Sequence, residues 1–392
     1  MTVVSTSRVG SARIPLSRSR VRNVGLDLPL LGATLAILLI GSLLVWSATA
    51  HNDTLTHGHP TSYLEKHLVN IVIGLVLAAA VLVTDYRWVR ILTPLVYVAS
   101  VLGLLLVLVM GSTINGSRSW LMLGGMSLQP AEFAKLAVVS GMALVVAERI
   151  EGSRRRRVGT VEVVLMLAIA GVPALLILAQ PDLGTMLVLT ATVFGVLAVA
   201  GVGPRWLATL FCGGIAAAAA VVMSGMLKPY QIDRFMAFTN PALDPRGAGY
   251  NTAQARIAIG NGGLFGQGLF HGSQTRSGFV PEQQTDFIFT VAGEELGLIG
   301  SALLIALFAI VLWRGVRIAL QAEDLFGRVA AAGIVCWFGF QAFQNIGMCL
   351  GIMPVTGVPL PLVSYGGSSM FASLMAIGLL QNIHMRSGRL LR

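Results

Sequence analysis

Residues 161–201 read VEVVLMLAIAGVPALLILAQPDLGTMLVLTATVFGVLAVAG. Two strongly apolar runs flank Gln180-Pro181-Asp182, and each approaches the roughly 20 residues that an α-helix needs to cross a bilayer. Proline cannot sit in a helix interior without losing a hydrogen bond, and its polar neighbours favour a turn. The stretch therefore predicts two helices, 161–179 and 183–201, rather than one long helix. The inside-or-outside assignment of every later loop depends on that break.

Working outward, eight further apolar spans are expected at 28–50, 67–84, 91–111, 130–148, 205–226, 287–313, 328–350 and 365–385. The fold class that follows is an all-α polytopic membrane protein of about ten transmembrane helices. Composition agrees: 55% of the 392 residues are hydrophobic and 11% are charged, with a mean hydropathy of +0.79. A soluble domain of this length would need far more charged surface. The net charge of +10 raises nucleic acid as a partner, but the arginines sit in short clusters between apolar runs, which excludes that class. Cys212, Cys336 and Cys349 lie in or beside apolar stretches without motif spacing, so they read as packing residues rather than a disulfide framework or zinc site.

Charge sets the orientation. Most basic residues fall before the first span or in alternate short loops, as in Arg8–Arg22, Arg87, Arg90, Arg149, Arg154–Arg157, Arg314, Arg317 and Arg386. The positive-inside bias then places both termini in the cytoplasm, with residues 1–27 as a basic tail before an uncleaved first helix. Residues 28–392 form the membrane domain. Its one large extracytoplasmic loop, 226–286, joins the seventh and eighth helices; loops of that length are usually functional or disordered. Recurring anchors such as Tyr230, Phe235, Tyr250, Phe265 and Phe270 favour function.

Candidate chemistry gathers near the outer face. Asp286 closes Phe279-Val280-Pro281-Glu282-Gln283-Gln284-Thr285-Asp286-Phe287, where the eighth span begins. It reads equally as a helix cap or as a general base above a packed face, since Gly293, Gly297 and Gly300 share its helical face. Glu132 and Lys135, three residues apart, read as an ion pair at a helix start or as a site that offers charge to an anionic substrate. Arg118, Arg234, Arg246 and Arg256 are outer arginines suited to phosphates. Asp182 caps the sixth helix or orients a cation. Ser364-Tyr365-Gly366-Gly367-Ser368 forms either a backbone anion nest or a tight turn. The glycine-rich run 260–268 lacks the strand of a nucleotide-binding fingerprint and reads as a flexible turn-rich loop. His57 and His59 face the outside without a matching ligand set, so no metal site is expected there.

Taken together, these motifs resemble the SEDS (shape, elongation, division and sporulation) family. The resemblance rests on Phe279 to Phe289 with Gly293-Glu294-Glu295-Leu296-Gly297, on Asn115 to Trp120 with Gln129 to Leu136, and on Gln180 to Gly184. Pro354 to Ser368 is similar to the stretch that marks the RodA-like branch. Gln284 departs from the histidine of many relatives. The resemblance implies a ten-helix peptidoglycan glycosyltransferase of the bacterial cytoplasmic membrane. It would polymerise lipid II during elongation and rod-shape maintenance and release undecaprenyl diphosphate.

By motif, Asp286 matches the family's essential aspartate, while Glu132 and Lys135 match its fourth-helix charged pair. Substrate contacts are expected from Arg118, Arg234, Arg256, Asp182, Ser364 and Ser368. The implied partners are a class B penicillin-binding transpeptidase and other membrane proteins of the elongation complex. No organic cofactor is implied, and a divalent cation such as Mg2+ is one way to stabilise the leaving diphosphate. The competing readings are a flippase for the lipid-linked precursor and a scaffold that only positions a separate synthase.

Overall fold

The computed structural model describes residues 25–56, 58–114, 117–123, 126–151, 158–223, 232, 238 and 247–387. Its principal helices are α1 (Leu28–Ala50), α2 (Ser62–Val83), α3 (Tyr86–Met110), α4 (Pro130–Ile150), α5 (Thr160–Ala179), α6 (Leu183–Val199) and α7 (Pro204–Met223). They continue with α8 (Ala248–Asn261), α9 (Gly297–Gln321), α10 (Leu325–Leu350) and α11 (Gly367–Arg386). Among the described residues, eight spans are long and apolar enough to cross a membrane, and the 17-residue α6 and the 20-residue α11 accompany them. The protein is a polytopic all-α membrane protein.

Aspartates start several of these helices, each accepting a bond from an otherwise orphaned backbone N–H. Asp27 caps α1 through Leu30, Asp85 caps α3 through Arg87, Asp182 caps α6 through Thr185 and Asp324 caps α10 through Gly327. The centre of the bundle is α4 and α10, whose faces are mostly buried, with Trp337 and Phe338 among their largest enclosed side chains. α11 lies along α2, α10 against α4, α6 and α9, and α1 against α9. No residue of α7 is buried, so lipid is the natural cover for that helix.

Between α3 and α4 the chain forms a small antiparallel meander that the apolar pattern did not suggest. Its strands are β1 (Ser112–Ile114), β2 (Ser117–Leu123) and β3 (Met126–Leu128), with Ser112 opposite Trp120 and Leu121 opposite Leu128. The described part of the long loop is also ordered, since α8 packs against α10.

The eighth span departs from expectation. A continuous helix over 287–313 was expected, with Asp286 and three glycines on one face. Instead Ile288–Val291 makes one turn and Ala292–Leu296 a π-helical turn. Gly297, where α9 begins, then takes a left-handed φ of 67°. The glycine-rich run 260–268 supplies the backbone partners that this break requires. Gln267 N and Gly268 N donate to Glu294 O (2.9 Å) and Glu295 O (3.0 Å), while Leu298 N and Ile299 N donate to Gly263 O (2.9 Å) and Leu264 O (3.2 Å). Non-helical backbone at membrane depth is tolerated only where protein satisfies it, so this run is a structural insert rather than a flexible turn.

Both glutamates of the break find hydrogen-bond donors in the same region. Glu294 accepts from Gln274 N, Thr275 N and Thr275 Oγ1 at 2.7–2.9 Å. Glu295 accepts from Ser47 Oγ at 2.7 Å.

Gly266 holds the insert in place. Its φ is 81°, and an added Cβ would sit 2.1 Å from Glu295 O. Gly266→Ala is expected to cost roughly 2 kcal/mol or more through strain and backbone displacement, read as a lower melting temperature of the detergent-solubilised protein. An unchanged melting temperature would show that the insert does not support the break.

Candidate active site

The turn 281–287 delivers Asp286. Glu282 adopts a left-handed φ of 49°, and its carbonyl collects the N–H groups of Thr285 (3.2 Å), Asp286 (3.0 Å) and Phe287 (3.3 Å). Buried Val280, Phe287, Ile288 and Phe289 anchor the turn on both sides. Gln283 Nε2 ties it to Thr275 Oγ1 and Thr290 Oγ1, both at 3.2 Å. Tyr365 N donates to Gln284 O at 2.9 Å. That bond uses the backbone of residue 284, while the Gln284 side chain lies in the wall beside Glu282.

Asp286 opens into a cavity of about 380 Å³ at one end of the bundle. Its walls come from distant parts of the chain: Tyr63 of α2, Trp120 of β2, Gln129 before α4, Asp182 before α6, the 356–359 loop and the N-terminus of α11. Three carboxylates, Asp182, Glu282 and Asp286, line it, whereas no lysine or arginine does so among the described residues. Gly357 has a φ of 71°, and a Cβ there would lie 3.2 Å from Asp286 Oδ2. Glycine thus keeps the space beside the carboxylate open. The rings of Tyr63 and Tyr365 pack at 4.9 Å on another wall.

Gln129 joins two of the expected site residues. Its N–H donates to Ser368 Oγ (2.8 Å), and its Nε2 donates to Asp182 Oδ2 (3.1 Å). Asp182 also accepts from Thr185 N and Thr185 Oγ1, each at 2.9 Å. Burial pushes the Asp182 carboxyl above the ordinary aspartate range, against the opposing pull of the Thr185 bonds. Ser364 lies behind the wall, where its Oγ accepts from Leu360 N at 2.8 Å and closes the loop that follows Gly357.

Glu132 and Lys135 pair at 2.7 Å, and both are fully enclosed. Lys135 Nζ also donates to Gln341 Oε1 (2.7 Å) and sits 4.9 Å from the centre of the Trp337 ring. Gln341 Nε2 in turn donates to Pro359 O, part of the cavity wall, at 2.8 Å. The pair therefore stands behind the cavity, joined to its wall by the Gln341 amide and near enough to Asp182 to interact with it electrostatically.

The arginines fare differently. Arg118 donates to Gly111 O and Val109 O, both at 2.8 Å, and so braces its own meander. Arg256 donates to Leu350 O (3.3 Å) and Gly351 O (3.0 Å), satisfying carbonyls at the end of α10. Neither lines the cavity. Arg234, Arg246 and His57 lie outside the described residues.

Glu282, Tyr63, Trp120 and Gln129 line the cavity without having been singled out as site residues. Glu282 stood inside the very stretch that identified Asp286. Gln341, Gln344 and Asn345, polar residues spaced i, i+3 and i+4 within an apolar span, are a comparable signal, because buried polar groups need partners.

No group of three or more His, Cys, Asp and Glu is close enough to hold a metal ion among the described residues. The charged side chains in the cavity wall are nonetheless all carboxylates among the described residues. That set suits Mg2+, which is commonly held by one or two carboxylates together with substrate phosphates.

The family described as cell cycle protein, FtsW/RodA/SpoVE, matches residues 29–389. Stage V sporulation protein E of Bacillus subtilis (strain 168) is 39% identical over 359 residues, covering 91% of this chain and 96% of that protein. Peptidoglycan glycosyltransferase MrdB of Escherichia coli (strain K12) is 36% identical over 361 residues, covering 92% and 94%. A chain from a peptidoglycan synthase complex, solved to describe how polymerization and crosslinking are coordinated, matches with a TM-score of 0.76. It is 33% identical and is covered over 99% of its length by 93% of this chain.

Proposed function

This chain belongs to the FtsW/RodA/SpoVE family, and from that premise we propose that it polymerises lipid II into glycan strands in the cavity around Asp286. The enzyme is a peptidoglycan glycosyltransferase, as its relatives are. One observation carries the reading: a single cavity joins Asp286, two further carboxylates and the N-terminus of α11.

The reaction needs a sugar hydroxyl as nucleophile and a lipid diphosphate as leaving group. In this assignment Asp286 accepts the hydroxyl proton as the oxygen bonds to the anomeric carbon of the donor sugar. The bond from that carbon to the diphosphate oxygen breaks, and its electron pair leaves with undecaprenyl diphosphate. The N–H groups at the start of α11, with Ser368 and Ser369, offer an anion a positive helix end. Asp182 and Glu282 would hold a divalent cation, whose chemistry when bound is to neutralise charge on the diphosphate.

Excess chelator is expected to slow polymerisation at least tenfold, with recovery on adding Mg2+ or Mn2+ and no change in melting temperature. A chelator-insensitive rate would remove the cation from the scheme.

The cavity end faces the outside of the cytoplasmic membrane in this reading, and both termini face the cytoplasm. The opposite end supports that orientation by carrying the Asp27–Arg314, Asp85–Arg386 and Arg90–Glu151 pairs. The partner is a class B penicillin-binding protein that cross-links the strands, and the pair works in cell elongation with other membrane proteins. The motif near Pro354–Ser368 supports the RodA-like branch.

The test is strand formation from purified lipid II in detergent, with the partner present but transpeptidase-dead. Strands are expected. Their absence from an intact complex, together with translocation of the precursor in liposomes, would replace this reading with a flippase.

A further inference from the structure

Three amides of α10 face the loop that walls the cavity. Gln341 Nε2 reaches Pro359 O at 2.8 Å, Gln344 Nε2 reaches Thr356 Oγ1 at 2.7 Å and Asn345 Nδ2 reaches Val358 O at 2.8 Å. All three are fully buried. Asn345 does more than the other two, because its Nδ2 also donates to Asp286 O at 2.7 Å. A side-chain amide carries two N–H hydrogens, and here each goes to a different loop.

One loop bears Asp286 and the other bears Gly357, the residue whose Cβ position falls 3.2 Å from Asp286 Oδ2. The distance between the two loops therefore sets the space in which that carboxylate meets a substrate hydroxyl. We propose that Asn345 is a positioning residue: its amide bridges the Asp286 turn to the 356–359 loop and fixes the carboxylate's place in the cavity. The inference rests on Asp286 acting as the base.

Asn345 itself is sealed from the cavity, so it affects the reaction through geometry rather than contact. A general base must stand within hydrogen-bond reach of the proton it takes. Displacing such a group by about 1 Å can cost on the order of 100-fold in rate.

The experiment measures steady-state polymerisation of lipid II by the full chain with its partner. It compares wild type, Asn345→Leu, Asn345→Asp and Asn345→Gln, with Asp286→Asn alongside. Asn345→Leu and Asn345→Asp keep the shape but lose the donors, and should lower kcat about 10- to 100-fold while leaving KM near wild type. Asn345→Gln keeps an amide and should retain more activity than either. That ordering separates positioning from simple destabilisation, which would follow melting temperature instead. If Asn345→Leu fails to fold, Asn345→Asp and Asn345→Gln carry the comparison.

Wild-type kcat in a donor-less variant, or a loss confined to KM, overturns the inference. When that occurs beside an inactive Asp286→Asn, the base assignment stands. An active Asp286→Asn removes both.

Discussion

Lys135→Met is expected to cost about 3–5 kcal/mol of stability, because it strands the Glu132 carboxylate without its buried partner. The ammonium is fully enclosed and has bonds of 2.7 Å to both Glu132 and Gln341. Its removal should appear as a sharp fall in folded protein recovered from membranes and as a lower melting temperature. Adding Glu132→Gln removes the stranded charge, and the double variant should regain most of the lost stability, since replacing both members of a buried pair is often nearly neutral.

Activity then separates the two readings of the pair. If it only supports the wall through Gln341 and Pro359, the stable double variant keeps polymerisation within about tenfold of wild type, one such step being about 1.4 kcal/mol of barrier. A double variant that folds fully but makes no strands would show that the charge itself acts on substrate.

Local patterns in the sequence foretold much of this architecture. The break at Gln180-Pro181-Asp182 was legible because proline and a capping aspartate are local signals, and α5 ends at Ala179 while α6 starts at Leu183. The first span, 28–50, matches α1. The break at Gly297 was not legible, because its compensation comes from backbone groups of the distant 263–268 run. An apolar stretch with a few glycines reads as a continuous helix when that partner cannot be seen. The meander after α3 did leave a trace: Asn115-Gly116 and Gly124-Gly125 stand between its strands, and such dipeptides favour tight hairpins.

The site divides in the same way. Asp286 stood out by its place at a membrane boundary, and the spacing of Glu132 and Lys135 announced their pairing. Their link to the cavity did not, since Gln341 lies 206 residues from Lys135 in sequence. Arg118 and Arg256 looked suited to phosphate by residue type alone. In the structure their guanidinium groups bond nearby carbonyls, a common use of arginine where helices and turns leave acceptors unpaired.

The central claim is that the Asp286 carboxylate takes the proton when a strand is extended. It is tested most directly by polymerisation of lipid II with wild type, Asp286→Asn and Asp286→Ala, each purified with the same transpeptidase-dead partner. Loss of a general base costs roughly 10²–10⁴-fold in rate. The account predicts a fall of that size in both variants, with folding, partner assembly and lipid II binding retained. Strands formed at near wild-type rate by a well-folded Asp286→Ala protein would contradict it.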